Sequence, residues 1–341
     1  LDQTVTGLRC QILAFLFKCL LLLALVLLFN TVIRSQFLHF SWGNALIAKK
    51  VDYLQDRKDY NMLVIGSSYI YRHFIPSHFD MLTDSNSFNL GAPGIRFMEG
   101  SYLLDKLLDD SDRYLSSVEN ILFLAQVNLT IPDNHLHTDR GVYWMDLSRF
   151  ISGVKYFYND LNELRKYFIS FFQNVFLYRV RSNLIGMFYY EDDIVFDFQK
   201  TSGYKNLDDE SGQEFRNIHF RKNYTKEYRP GYDYAYTEEL GEEPVSNVEL
   251  YYESTVKSLE ARCAEKGIKL HLIFTANDVQ HRRLNLDNII YMGDGSEIPE
   301  LFRVSNYFDK WHLNTQGAEL FTDRLALVYN RNSENLKRID E

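Results

Sequence analysis

The stretch NMLVIGSSYIYRHF, residues 61–74, holds an apolar run of strand length that ends on Gly66 and is followed at once by Ser67 and Ser68. An unbroken apolar run is the pattern of a parallel strand buried on both faces. The two small hydroxyls therefore stand at the carboxyl end of a strand, the edge at which open α/β sheets bind ligands.

Downstream the pattern recurs. PSHFDML (76–82) reads as a helix, SFNLG (87–91) as a second strand, and MEGSYLLDKLLDD (98–110) as a helix with Leu103, Leu104, Leu107 and Leu108 on one face. VENILFLAQVN (118–128) reads as a third strand and KLHLIFTA (269–276) as a fourth. Before the fourth, Val248, Tyr252, Val256, Leu259 and Cys263 fall at helical spacing, and Gly267 closes that helix. In NTQGAELFTDRLALVYN (314–330), Asn314 or Thr315 caps a last helix with Ala318, Phe321, Leu325 and Val328 inward. The alternation predicts a three-layer α/β sandwich, a central parallel sheet with helices on both faces.

The pattern lapses between Thr130 and Val245. So long a gap calls for an insertion with its own structure, over about residues 130–245. Its first half predicts an amphipathic helix with Leu161, Leu164, Phe168, Phe171 and Val175 in register. Its second half is polar, Gly-punctuated and tyrosine-rich, and reads either as a lid over the site or as decoration.

Residues 12–33, ILAFLFKCLLLLALVLLFNTVI, carry one charge, Lys18, over 22 residues, close to the ~20 that span a bilayer. Lys18 can snorkel to the near headgroups. The flanking NTVIRSQF lacks the small-x-small pattern of a cleavage site, and the segment has no polar face for a globular helix. The expected organisation is a tail and transmembrane anchor over 1–34, a connector over 35–60, the α/β domain over 61–330 and a C-terminal tail over 331–341. Flanking charges do not orient the anchor, since Arg9 and Lys18 are answered by Arg34, Lys49 and Lys50.

A net charge of −9 argues against general nucleic-acid binding, which needs a basic face. Cys10 and Cys19 lie in or beside the apolar segment, which leaves Cys263 alone downstream and decides no compartment. The 25 Phe and 24 Tyr point to aromatic packing before stacking platforms.

A serine needs a base to act as nucleophile. FDKWHLNTQGAELF (308–321) supplies His312 with Asp309 three residues earlier, directly before the capped helix. In that arrangement the histidine takes the serine proton and the aspartate orients the imidazole. Asn277, Asp278 and His281, after the fourth strand, are candidates to line the pocket, with a loop cap as the alternative. Arg96 and Arg72 are weaker candidates to meet an anionic substrate. His135 and His137 form a His-x-His without a clear third ligand, so no metal is expected.

The segments VIGSSY, NLGAPG, LAQVNLT and DKWHLN, in this order, resemble the four blocks of the SGNH (GDSL-type) hydrolase superfamily over roughly residues 61–330. The resemblance implies a flavodoxin-like sheet, Ser68 as nucleophile, and Asp309 and His312 as its acid–base partners. It implies an oxyanion hole from the amides of Ser68 and Gly91 and the side chain of Asn128, and no cofactor. Ser67 replaces the family's aspartate, a change also found in its membrane-anchored surface-polymer branch. Gln126 and Leu129 replace the third block's glycine and aspartate.

An anchor before such a domain resembles the bacterial D-alanyl transfer protein of teichoic acids and the alginate O-acetylation proteins. That implies a serine esterase or O-acyltransferase held on the cytoplasmic membrane, its domain facing away from the cytoplasm. Its substrates would be acyl esters of a cell-surface glycan or polymer, and its partner a membrane-bound O-acyltransferase. The rival reading is a non-catalytic binding or assembly subunit, for which Gln126 and Leu129 speak. A cytosol-facing lipase or thioesterase is the third.

Overall fold

The computed structural model describes residues 11–22, 24–25, 28, 45–125, 147–173, 198–208, 214–223, 227–228, 247–275, 285–292 and 298–340. Five strands, β1 (Met62–Ile65), β2 (Ser87–Asn89), β3 (Asn120–Leu124), β4 (Lys269–Phe274) and β5 (Ile289–Tyr291), form one sheet in the order β2-β1-β3-β4-β5. Every pairing is parallel, with Val64 beside Leu122, Leu122 beside His271 and Ile273 beside Ile290. The strands are shorter than the apolar runs that announced them. β5 was not anticipated, because Ile289, Ile290 and Tyr291 are too brief a run to stand out from LDNIIYMG.

Strand side chains alternate between two cores. Leu63, Ile65, Ile121, Phe123, Leu272 and Phe274 face helices α1 (Ala45–Gln55), α4 (Phe97–Asp109) and α8 (Asn247–Glu265). Met62, Val64, Leu122, Leu124, Ile273 and Ile290 face α2 (Ser68–His73), α3 (Pro76–Thr83) and α9 (Thr315–Asp340). The helices meet the sheet with the predicted stripes: Leu103, Leu104, Leu107 and Leu108 on α4, Tyr252, Val256, Leu259 and Cys263 on α8, and Ala318, Phe321 and Leu325 on α9 are all buried. Each large apolar side chain so buried contributes about 1.5–3 kcal/mol relative to exposure. Phe74, Phe79, Phe88 and Phe123 lie fully inside, and Phe97 stacks on Tyr252 at 3.9 Å, so much of the aromatic content is core.

Three expectations change, the first being that residues 331–340, expected as a tail, continue the helix α9. The stretch read as a connector contains α1, whose Leu46, Ile47, Val51 and Leu54 are buried in the first core, so this helix belongs to the α/β domain. Along the insertion helix α6 (Leu161–Gln173), Leu164 and Phe171 of the predicted stripe pack inward, but its first residue does not, and the most buried position is one the stripe left out. Leu161 is 78% exposed, whereas Tyr167 is buried, packs against Gly153 of α5 (Leu147–Phe157), stacks on Phe150 and donates its hydroxyl to the Arg149 carbonyl. Tyrosine's polar tip hid an inward position that its ring fills. Val175 lies outside the described residues.

The described parts of the insertion pack onto the domain. α5 and α6 gather with Met98 of α4 and Tyr251 of α8. Residues 202–203 cover the β2 edge, where the Asn89 amide donates to the Ser202 carbonyl at 2.8 Å. Gly203 has φ +86°, and a Cβ there would stand 2.3 Å from the Asn89 oxygen, so glycine alone fits.

Residues 11–22 are helical with exposed side chains. Among the described residues no helix is long and apolar enough to cross a membrane. Residues 29–44 lie outside the described residues.

Candidate active site

The strand order reverses direction between β1 and β3, and the crevice at such a reversal is where doubly wound sheets bind ligands. Gly66, which follows β1, admits no side chain, since a Cβ would lie 2.5 Å from Ile70 and 2.7 Å from Leu124. The chain then enters α2. Ser67 is its N-cap, buried, with its hydroxyl accepting the Tyr69 amide at 3.3 Å. Ser68 is the first helical residue and half-buried. The adjacent serines thus divide: one closes the helix end, the other faces the crevice.

The partner of Ser68 arrives from the far end of the chain. Tyr307 and Leu313 form an antiparallel bridge that closes a tight loop, and within it the Asp309 carboxylate folds back on its own backbone. Asp309 Oδ1 accepts the amides of Trp311 at 2.7 Å and His312 at 2.8 Å. His312 Nδ1 lies 3.0 Å from Asp309 Oδ1 and 3.1 Å from Oδ2. A carboxylate there calls for a proton on Nδ1 and leaves Nε2 to accept. Nε2 is 3.0 Å from the Ser68 hydroxyl, within the reach of a general base. Burial works against ionisation of Asp309, yet the hydrogen bond and charge of His312 and the amides of Trp311 and His312 outweigh it and hold the carboxyl at about 2. It is therefore a fixed anion at neutral pH.

Groups the sequence did not announce hold this loop. His73, on α2, accepts the Leu313 amide at Nε2 at 3.0 Å, and its ring stands edge-on to His312 with centroids 6.1 Å apart. Helix α7 (Glu214–Asn223), inside the insertion, lies along the loop. Arg216 Nη2 is 2.5 Å from Asp309 Oδ2, the Asn217 carboxamide donates to the Phe308 carbonyl, and the Arg221 guanidinium donates to those of Val304, Ser305 and Tyr307. Asn314 caps α9 through the Gly317 amide, as one of the two predicted caps, while Asp208 of the insertion accepts the amide and hydroxyl of Thr315. A cleft of about 930 Å³ opens between α7 and the loop, lined by Arg216, His219, Phe220, Lys310 and Trp311. Trp311 is 50% exposed there, with the Lys310 ammonium 4.6 Å from its ring.

Lys50 of α1 is fully buried. Its three N–H groups meet three carbonyls, Asn89 at 2.7 Å, Gly91 at 2.7 Å and Gly203 at 2.8 Å, and its ammonium sits 4.6 Å from the Tyr71 ring. Burial, and after it the charge of Arg72, pull its pKa well below the ordinary lysine range. The three carbonyls satisfy the three donors of an ammonium, which opposes that pull.

The remaining predicted residues are differently placed. The Gly91 amide, expected to face an oxyanion, instead donates to Asn89 Oδ1 at 3.0 Å. The Asn89 side chain is itself pinned by donating to the Ile70 and Phe74 carbonyls. The position still demands glycine, because a Cβ would fall 2.6 Å from the Tyr71 amide nitrogen. Ser68's own amide is at the first turn of a helix, where no intrahelical acceptor exists. Arg96 begins α4 as its N-cap residue, its amide donating to Glu99 Oε2 at 3.3 Å. Arg72 lies over the Tyr71 ring at 4.5 Å. Asn128, Gln126, Leu129, Asn277, Asp278, His281, His135 and His137 lie outside the described residues. Among the described residues, no three His, Cys, Asp or Glu side chains group as metal ligands.

Comparison with protein-family models, with curated proteins and with solved structures returns no match for this chain.

Proposed function

We propose that this protein is a membrane-anchored serine esterase or O-acyltransferase that works through an acyl-enzyme on Ser68. One observation carries the reading: the hydroxyl, imidazole and carboxylate of Ser68, His312 and Asp309 form a continuous hydrogen-bonded relay at the crevice of a doubly wound sheet. In the mechanism, His312 Nε2 removes the Ser68 proton as the oxygen attacks an ester carbonyl. Asp309 stabilises the imidazolium that forms, and His312 returns the proton to the departing alcohol. Water, or the hydroxyl of an acceptor sugar, then takes the acyl group by the reverse sequence. The Ser68 amide is one oxyanion donor, and Asn128 is the expected second. The acyl esters of a bacterial cell-surface glycan or polymer are the substrate class, with a membrane-bound O-acyltransferase as partner. Both follow from the motif resemblance and from the apolar segment over residues 12–33.

A second reading, a non-catalytic binding or assembly subunit that keeps the cleft, is favoured by the Gly91 amide being committed to Asn89. Covalent labelling by a serine-directed phosphonate separates the two. The enzyme reading expects labelling of the full chain that is lost in Ser68→Ala and His312→Ala and kept in Ser67→Ala. Absence of any labelling in the intact protein sinks it.

A further inference from the structure

We propose that Arg216 of the insertion is a positioning residue that lowers the basicity of His312 by sharing the Asp309 carboxylate. This rests on His312 being the base of the proposed reaction. The carboxylate is surrounded on both oxygens. Oδ1 takes the Trp311 and His312 amides and the His312 ring, while Oδ2 lies 2.5 Å from Arg216 and 3.1 Å from His312 Nδ1. An exposed ion pair of this kind contributes little, because solvent screens it. This one differs in two ways: Asp309 is only 5% exposed, and α7 is fixed to the same loop by Asn217 and by three bonds from Arg221. The carboxylate end of the pair is thus buried and its helix is docked on the loop, while the Arg216 side chain is 36% exposed.

The electrostatic consequence has a definite sign. An imidazolium at His312 is stabilised by the carboxylate beside it, and a permanent cation on the other carboxylate oxygen opposes that stabilisation. Arg216 makes His312 a weaker base and a stronger acid, which suits the step in which it must return a proton to a leaving alcohol. Among the described residues, the other groups near the imidazole do not substitute for this charge. From α2 come Ser68 at 3.0 Å, the Tyr69 ring at 6.5 Å and the His73 ring at 6.1 Å, with His73 held as an acceptor by Leu313; Lys310 of the loop itself lies over Trp311. The insertion thus supplies part of the acid–base unit, a role different from either a lid or decoration.

The test is an NMR titration of the His312 imidazole in the full chain, which needs no turnover. Removal of the cation in Arg216→Gln is expected to move the His312 midpoint upward. Arg216→Lys, which keeps the charge but not the fork, should shift it less in the same direction, and Asn217→Ala, which loosens the loop but leaves the charge, should leave it in place. A midpoint unmoved or lowered in Arg216→Gln overturns the proposal. If that variant does not fold, an unmoved or lowered midpoint in Arg216→Met does so. In the proposed reaction the acid limb of kcat/KM should move upward with the titration. Failure of the wild-type chain to turn over any ester would refute the esterase reading alone, and the titration would still decide the role of Arg216.

Discussion

Alanine at Ser68 is expected to lower kcat on an activated aryl ester by about 10⁶-fold, and alanine at His312 by about as much, with the double variant little worse than either. In the proposed reaction the relay acts as a unit. Without the hydroxyl nothing carries the acyl group, and without Nε2, 3.0 Å away, the hydroxyl remains protonated. Ser68 is half-buried at the first turn of α2, so Ser68→Ala should fold normally. Ser67→Ala gives the opposite profile. It removes the cap bond to Tyr69 and costs about 1 kcal/mol of stability, while the ester is still turned over. Steady-state kinetics paired with urea unfolding of the variants distinguishes the roles. Activity in Ser68→Ala within tenfold of wild type would assign the chemistry elsewhere.

Methionine at Lys50 is expected to destabilise the protein by about 3–5 kcal/mol, because it strips the donors from three carbonyls closed off from water. Those carbonyls belong to the end of β2, the Gly91 turn and the insertion at Gly203, so one ammonium ties three segments far apart in sequence. The loss should exceed that of a large-to-small change at one buried aliphatic position of the same helix, such as Val51→Ala. Urea unfolding midpoints, with the slope checked for constancy, provide the measurement. A loss below about 1 kcal/mol would mean that the carbonyls find water or other donors once the ammonium is gone.

Periodicity carried the fold a long way. Apolar runs marked four of the five strands, and the described stripe residues on α4, α8 and α9 face inward as the spacing placed them, because apolar side chains reveal burial directly. Periodicity failed where polarity misleads. Tyr167 is an inward residue with a polar tip, and Lys50 is a charged residue whose burial rests on carbonyls contributed by distant segments. No local pattern can announce such partners. The site divides in the same manner. Asp309 and His312 sit three residues apart beside a helix cap, a spacing visible in the sequence, and Ser68 follows a recognisable strand. Arg216 and His73 reach the same loop only through the folded chain, about 93 residues before Asp309 in one case and 240 residues before Leu313 in the other. The Asn89 carboxamide that occupies the Gly91 amide is a contact two residues long, and only the geometry of the turn decides it.

The central claim is that Ser68 becomes acylated. Peptide-resolved mass spectrometry of the full chain after brief exposure to p-nitrophenyl acetate and acid quenching tests it most directly. An acetyl group is expected on the peptide containing Ser68, absent after His312→Ala and removed on incubation at neutral pH before the quench. Acetylation confined to lysines, or undiminished at Ser68 in the His312 variant, would contradict it.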